Sequence, residues 1–126
     1  MAGVVFADLN GLKAINDSFG HSAGDEAIRK AANLMFDYFG ESNVFRNGGD
    51  EFVGILPNIN LATFERIKDS FIESLKQPGT AAVAAGFAWC EDTRKLEDAM
   101  HQADKNMYAN KAEYYKHNDR RSKRQA

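Results

Sequence analysis

A chain of 126 residues fits a single domain and is long enough to bury a core without disulfides or a structural metal. Hydrophobic residues at 44% and charged residues at 27% are ordinary values for a water-soluble domain, and a net charge of −2 sets up no global field to recruit nucleic acid. One cysteine, Cys90, rules out an internal disulfide framework. No apolar run approaches the ~20 residues of a membrane span, and Met1–Phe6 lacks the basic region of a signal peptide, so a cytoplasmic domain is expected.

Gly3-Val4-Val5-Phe6-Ala7 is short and continuously apolar, the pattern of a strand buried on both faces, and it ends directly at Asp8-Leu9-Asn10. Residues Gly11 to Gly20 carry no sustained helical stripe, although Leu12 and Ile15 can anchor one turn, and they read as a structured loop. Ser22-Ala23-Gly24-Asp25 has the spacing of a capping box. Ile28, Ala31, Ala32, Met35 and Phe39 follow at helical intervals, predicting a helix from about Ala23 to Tyr38.

Val44-Phe45-Arg46 and Phe52-Val53-Gly54-Ile55-Leu56 read as hairpin strands around Asn47-Gly48-Gly49-Asp50-Glu51, with the second strand central in the sheet. Glycines without side chains leave room for a bulky anion near the backbone N–H groups, and Asp50 is a carboxylate of the kind that holds Mg²⁺. A metal-bound phosphate is one reading of this turn, and ordinary turn chemistry is the other. Leu61, Phe64, Ile67, Phe71 and Leu75 stripe a second helix with Asn60 as its cap. Thr80 to Trp89 reads as a fourth strand, and Leu96, Ala99, Met100, Ala103 and Met107 mark a third helix from about Lys95 to Tyr114.

The order is βαββαβ plus a helix, an α+β, ferredoxin-like sheet with its helices on one face. Neighbouring strand tips would then bring Asp8 and Asp50 together, close enough to share a metal pair roughly 3.5–4 Å apart. Residues 3–116 form the domain, and 117–126 read as a basic flexible tail.

Asp8-Leu9-Asn10-Gly11-Leu12-Lys13, Asn16-Asp17-x-x-Gly20-His21-x-x-Gly24-Asp25 and Gly48-Gly49-Asp50-Glu51-Phe52, followed by Ala103-Asp104 and Tyr108-Ala109-Asn110-Lys111, cover nearly the whole chain. In that order they resemble the GGDEF domain family, the diguanylate cyclases. The resemblance implies a palm-type fold similar to nucleotide cyclase catalytic domains, and condensation of two GTP into cyclic di-GMP with release of pyrophosphate across a transient homodimer. It implies Asp8, Asp50 and the Leu9 carbonyl as ligands of two Mg²⁺ ions, with Mn²⁺ as a substitute, and Glu51 as a second essential acid. By the same resemblance Asn16 and Asp25 read guanine, Gly48 and Gly49 give the triphosphate its space, and Lys111 reaches the terminal phosphates.

Read alone, Asp25 is also a capping acid, Lys111 an ordinary helix-end lysine and His21 a turn-holding residue. The chain departs from the family at several points. It starts almost on the first strand, where members open with a helical segment carrying Asp-x-Leu-Thr-x-Leu-x-Asn-Arg, so an N-terminally truncated domain is expected, with a sensor or membrane region upstream in a parent protein. Tyr115 stands where many members place a phosphate-binding arginine, and Asn10 replaces a frequent aspartate. Phe39 and Ser42 occupy the positions of the inhibitory Arg-x-x-Asp motif. These departures keep a second reading open, a GGDEF module that binds GTP or a partner without turnover.

Overall fold

The computed structural model describes the backbone of residues 1–125 and the side chains of residues 1–114 and 116. Four antiparallel strands, β1 (Ala2–Leu9), β2 (Val44–Arg46), β3 (Glu51–Pro57) and β4 (Val83–Cys90), form one sheet in the order β2-β3-β1-β4. Four helices accompany them: α1 (Leu12–Phe19), α2 (His21–Phe39), α3 (Leu61–Leu75) and α4 (Leu96–Gln125). This is the ferredoxin-like arrangement expected from the order of elements, with β3 central beside β1.

The helices are not all on one face, as the sequence reading had them. Every residue of β1 is buried, and alternate side chains serve two cores. Val5, Ala7 and Leu9 pack with Ala31, Met35 and Phe39 of α2 and Phe71 of α3. Ala2, Val4 and Phe6 pack with Ala99, Ala103 and Met107 of α4 on the opposite face. The continuous apolar run of β1 is explained by this double burial. Phe71 is the hub of the first core, with ring centroids 4.9 Å from Phe39, 5.6 Å from Tyr38 and 6.1 Å from Phe87. The predicted cap of α3 is present, as Asn60 Oδ1 accepts from the Thr63 amide at 2.8 Å.

Three further expectations are corrected. The segment after β1 is a helix, α1, because Leu12, Ile15 and Phe19 lie on one face over two turns, a stripe that Asn16 interrupts and shortens. The capping box does not form. Helix α2 begins at His21, and Gly20, at φ 89°, separates it from α1, so Ser22 lies inside the first turn. The Gly20 amide closes α1 on the Asn16 carbonyl at 2.9 Å, and the Gly24 amide opens α2 on the Gly20 carbonyl at 3.3 Å. Helix α4 continues beyond Tyr114 to Gln125, while the side chains of 117–125, read as a flexible tail, and that of Tyr115 lie outside the described residues, as does Ala126. Among the described residues no helix is long and apolar enough to cross a membrane.

Helix α4 is seated on the sheet at Gly86. A methyl group there would overlap the Ala103 carbonyl and the Met107 amide, so the helix backbone rests directly on the strand. Asn106 Nδ2 donates to the Phe87 carbonyl at 3.0 Å, and Asn110 Oδ1 accepts from the Ala85 amide at 3.0 Å, satisfying outward-facing groups of an edge strand. Gly86→Ala is therefore expected to lower unfolding stability by ~2–3 kcal/mol. Gly49→Ala, where a methyl group meets nothing within 4 Å, should change it by less than ~0.5 kcal/mol. Urea melts of the two variants check the contrast, and equal losses would contradict this seating of α4.

Candidate active site

The end of β1 is clamped between its two neighbours. The Leu9 amide donates to the Asp50 carbonyl at 3.0 Å, and the Asn10 amide donates to the Ala82 carbonyl at 2.7 Å. In the β1–β3 register Asp8 stands opposite Glu51. The hairpin thus delivers Asp50 and Glu51 to the tip where β1 ends, the juxtaposition the order of strands predicts.

The turn between β2 and β3 is held from both sides. The Asn47 amide donates to the Glu51 carbonyl at 2.8 Å, and Arg46 Nε donates to the Gly49 carbonyl at 3.1 Å. Gly48 has φ 109°, a conformation that favours glycine, and nothing lies within 4 Å of a methyl group at Gly48 or Gly49. The space over the turn is open.

Asp8 is 6% exposed, and its Oδ2 accepts from Lys111 Nζ at 2.8 Å. Its other oxygen, Oδ1, is buried without a partner. Burial raises the Asp8 carboxyl above its ordinary value of 3.8, the neighbouring Asp50 carboxyl raises it further, and Lys111 opposes both. Glu51 is raised above 4.5, first by burial and then by the charge of Asp104, while the Asn47 side chain, hydrogen-bonded to it, pulls the other way. Four acids, Asp8, Asp50, Glu51 and Asp104, and one lysine therefore act on one another at the strand tips.

Asn16 and Asp25 belong to α1 and α2, on either side of the Gly20 junction. The Asn16 carboxamide lies against Gly24, and a methyl group on Gly24 would overlap Asn16 Oδ1. That oxygen is buried and has no partner, whereas Asp25, next to Gly24 in the chain, is exposed. His21 is the exposed first residue of α2. Phe39, at the position of the inhibitory arginine, is 2% exposed in the α2–α3 core, and Ser42 is exposed.

Sequence reasoning gave no role to Arg46, Asn47 or Asp104, although Ala103-Asp104 stands among the motifs that carry the family resemblance. Asp104 carried a signal, since it lies two helical turns before Lys111 and so on the same side of α4. Arg46 and Asn47 act through the closed hairpin and have no signature in spacing.

A diguanylate cyclase GGDEF domain family model matches residues 1–117. The probable diguanylate cyclase DgcE of Escherichia coli K12 is 35% identical over 118 residues, covering 86% of this chain and 11% of DgcE. Diguanylate cyclase DosC of the same organism is 42% identical over 78 residues, 58% of this chain and 17% of DosC. The chain thus spans a small part of the length of these relatives. Among solved structures, the GGDEF domain of PA1120 (TpbB or YfiN) from Pseudomonas aeruginosa superposes with a TM-score of 0.75 at 31% identity, over 89% of this chain and 72% of that one. With the match running from the first strand through most of α4, the chain belongs to the GGDEF, diguanylate cyclase domain family.

Proposed function

We propose that this domain condenses two GTP molecules into cyclic di-GMP with release of two pyrophosphates, working as a transient homodimer. The observation that carries the proposal is the pair of carboxyl groups at the strand tips, Asp8 and Asp50, with Asp8 Oδ1 buried and unpartnered beside an open, glycine-lined turn. A buried carboxylate oxygen without a donor is costly unless a cation belongs there.

The donor set is all oxygen and suits a hard divalent cation. Among the described residues no group of three or more His, Cys, Asp or Glu side chains is arranged to hold a metal ion, and the proposed ligands are accordingly two carboxylates, Asp8 and Asp50, with the Leu9 carbonyl. Bound there, two Mg²⁺ ions, or Mn²⁺ in their place, would supply Lewis-acid polarisation of the phosphoryl oxygens and of the attacking hydroxyl.

The other residues have separate work. Asn16 and Asp25 face the guanine edge, an amide and a carboxylate that match its donors and acceptors and mismatch those of adenine. The open backbone at Gly48 and Gly49 accepts the triphosphate, and Lys111 pairs with its terminal phosphates. Glu51, opposite Asp8 in the β1–β3 register, would take the proton of the 3′-hydroxyl as that oxygen bonds to the α-phosphorus. The bond from the α-phosphorus to the bridging oxygen breaks, and pyrophosphate leaves. One domain holds one GTP, so the second nucleotide comes from a facing copy across a two-fold axis. A GTP substrate places the domain on the cytoplasmic side.

The second reading, a module that binds GTP without turnover, draws on the Lys111–Asp8 ion pair, which occupies one oxygen of a proposed metal ligand. Incubation with GTP and Mg²⁺ followed by nucleotide chromatography separates the two readings. Cyclic di-GMP is expected from the wild type, and Asp50→Ala or Glu51→Ala should reduce it at least about a hundredfold with the fold intact. Near-normal turnover in either variant would remove that residue from the site.

Guanine reading predicts that calorimetry finds GTP bound well ahead of ATP, and that Asn16→Ala narrows the gap by ~1–3 kcal/mol. Equal affinities in the wild type would contradict it.

Glu51 also makes a prediction about stability. Its folded-state pKa lies above the unfolded value, so its ionisation costs the fold stability, a cost absent below the ordinary 4.5 and complete once pH has risen through the raised value. In EDTA, Glu51→Gln should therefore melt higher than wild type at about pH 7, with the gain vanishing near about pH 4. A loss at neutral pH would contradict the assignment.

A further inference from the structure

We infer that the Lys111 ammonium is a placeholder cation, neutralising Asp8 while the site is empty and leaving it when a divalent cation arrives. The inference rests on the metal and phosphate roles proposed above and gives one lysine two successive partners. Lys111 Nζ donates to Asp8 Oδ2 at 2.8 Å, with the Asp8 side chain 8% exposed and that of Lys111 25%. A carboxyl group so nearly out of water gains from a cation held against it. The pairing is incomplete, because Oδ1 has no partner and the Asp50 carboxyl stands alongside. One monovalent donor thus serves one oxygen of a carboxylate that offers two.

The arrangement also lets the ammonium leave without moving the helix. The backbone of α4 is fixed on the sheet at Gly86 and tied to β4 by Asn106 and Asn110. The lysine side chain, by contrast, is a flexible four-carbon stem, so Nζ can swing off Asp8 by rotation about its own bonds while the helix stays in place. A divalent cation on Asp8 and an ammonium within hydrogen-bond distance of the same carboxyl repel strongly in so poorly solvated a place. The two therefore compete for Asp8, and a triphosphate, by giving Lys111 another anionic partner, relieves the competition. Metal and nucleotide are then coupled through this lysine, each strengthening the other's binding by the same factor.

The test is binding of Mn²⁺ alone, without nucleotide, followed by electron paramagnetic resonance on wild type, Lys111→Met and Lys111→Arg. Removing the ammonium should tighten Mn²⁺ binding about tenfold in Lys111→Met, while Lys111→Arg, which keeps a cation beside Asp8, should stay close to wild type. Lys111→Gln, polar but uncharged, repeats the comparison independently of how the methionine packs, and should behave as Lys111→Met does. Equal or weaker Mn²⁺ binding in both uncharged variants overturns the placeholder while leaving the metal site in place. Absence of Mn²⁺ binding from every protein, with and without a non-hydrolysable GTP analogue, overturns the metal assignment and the placeholder with it.

Discussion

A carboxylate at the end of a fully buried strand is the constraint on which the rest of this structure turns. Seven of the eight residues of β1 carry no ionisable group, and six of them pack into two cores; the remaining residue, Asp8, holds a carboxyl group at 6% exposure. Nothing within β1 can compensate it. The ammonium that does so comes from α4, and the like charge that aggravates it comes from the hairpin, so the carboxyl is compensated only once α4 is seated on the sheet, and the β2–β3 turn works against that compensation. Burial and the Asp50 carboxyl raise its pKa, and Lys111 alone among the named influences opposes them. A buried carboxyl perturbed in this way marks a candidate functional site.

Backbone proximity brings the compensating groups within reach. Gly86 lets α4 lie directly on β4, which carries the helix past β1 and brings Lys111 to Asp8. Gly24 serves the α1–α2 junction in the same way, making room for the Asn16 carboxamide. Both glycines act by lacking a Cβ. The hairpin turn differs, because Gly48 is needed for its positive φ and the space around it is left empty. Two kinds of glycine thus divide the labour, one bringing elements together and the other keeping the approach to the carboxylates clear.

Much of this was legible in the residues. The apolar run of β1, the glycine turn and the i, i+3, i+4 stripe of α3 each depend on local chemistry, and they placed Asp8, Asp50 and Glu51 at one end of a ferredoxin-like sheet. What was misread involved competition between local signals. The Ser22 capping box lost to Gly20, whose backbone breaks α1 from α2 one residue ahead of the helix start, and Asn16 hid α1 by sitting in the middle of its apolar stripe. The division of helices between two faces was also missed, since a strand buried on both sides does not say which helix covers which side. The Lys111–Asp8 contact spans 103 positions, a separation at which no spacing rule operates; the strand order pointed to Asp8, and only the resemblance to a family gave Lys111 a role. Asp104 stands two turns from Lys111 on the same face, and the Ala103-Asp104 motif marked its position without giving it a role.

The central claim is that two copies of this domain, each holding one GTP, complete a reaction that neither can complete alone. Initial rates of cyclic di-GMP formation from GTP and Mg²⁺, measured across a wide range of chain concentration alongside sedimentation of the same samples, test it most directly. The rate per chain should climb with concentration and level off as the dimer fills, and fusing a dimerising helix ahead of Met1 should shift that rise to lower concentration. A rate strictly proportional to chain concentration, from a species that sediments as a monomer throughout, would contradict the account.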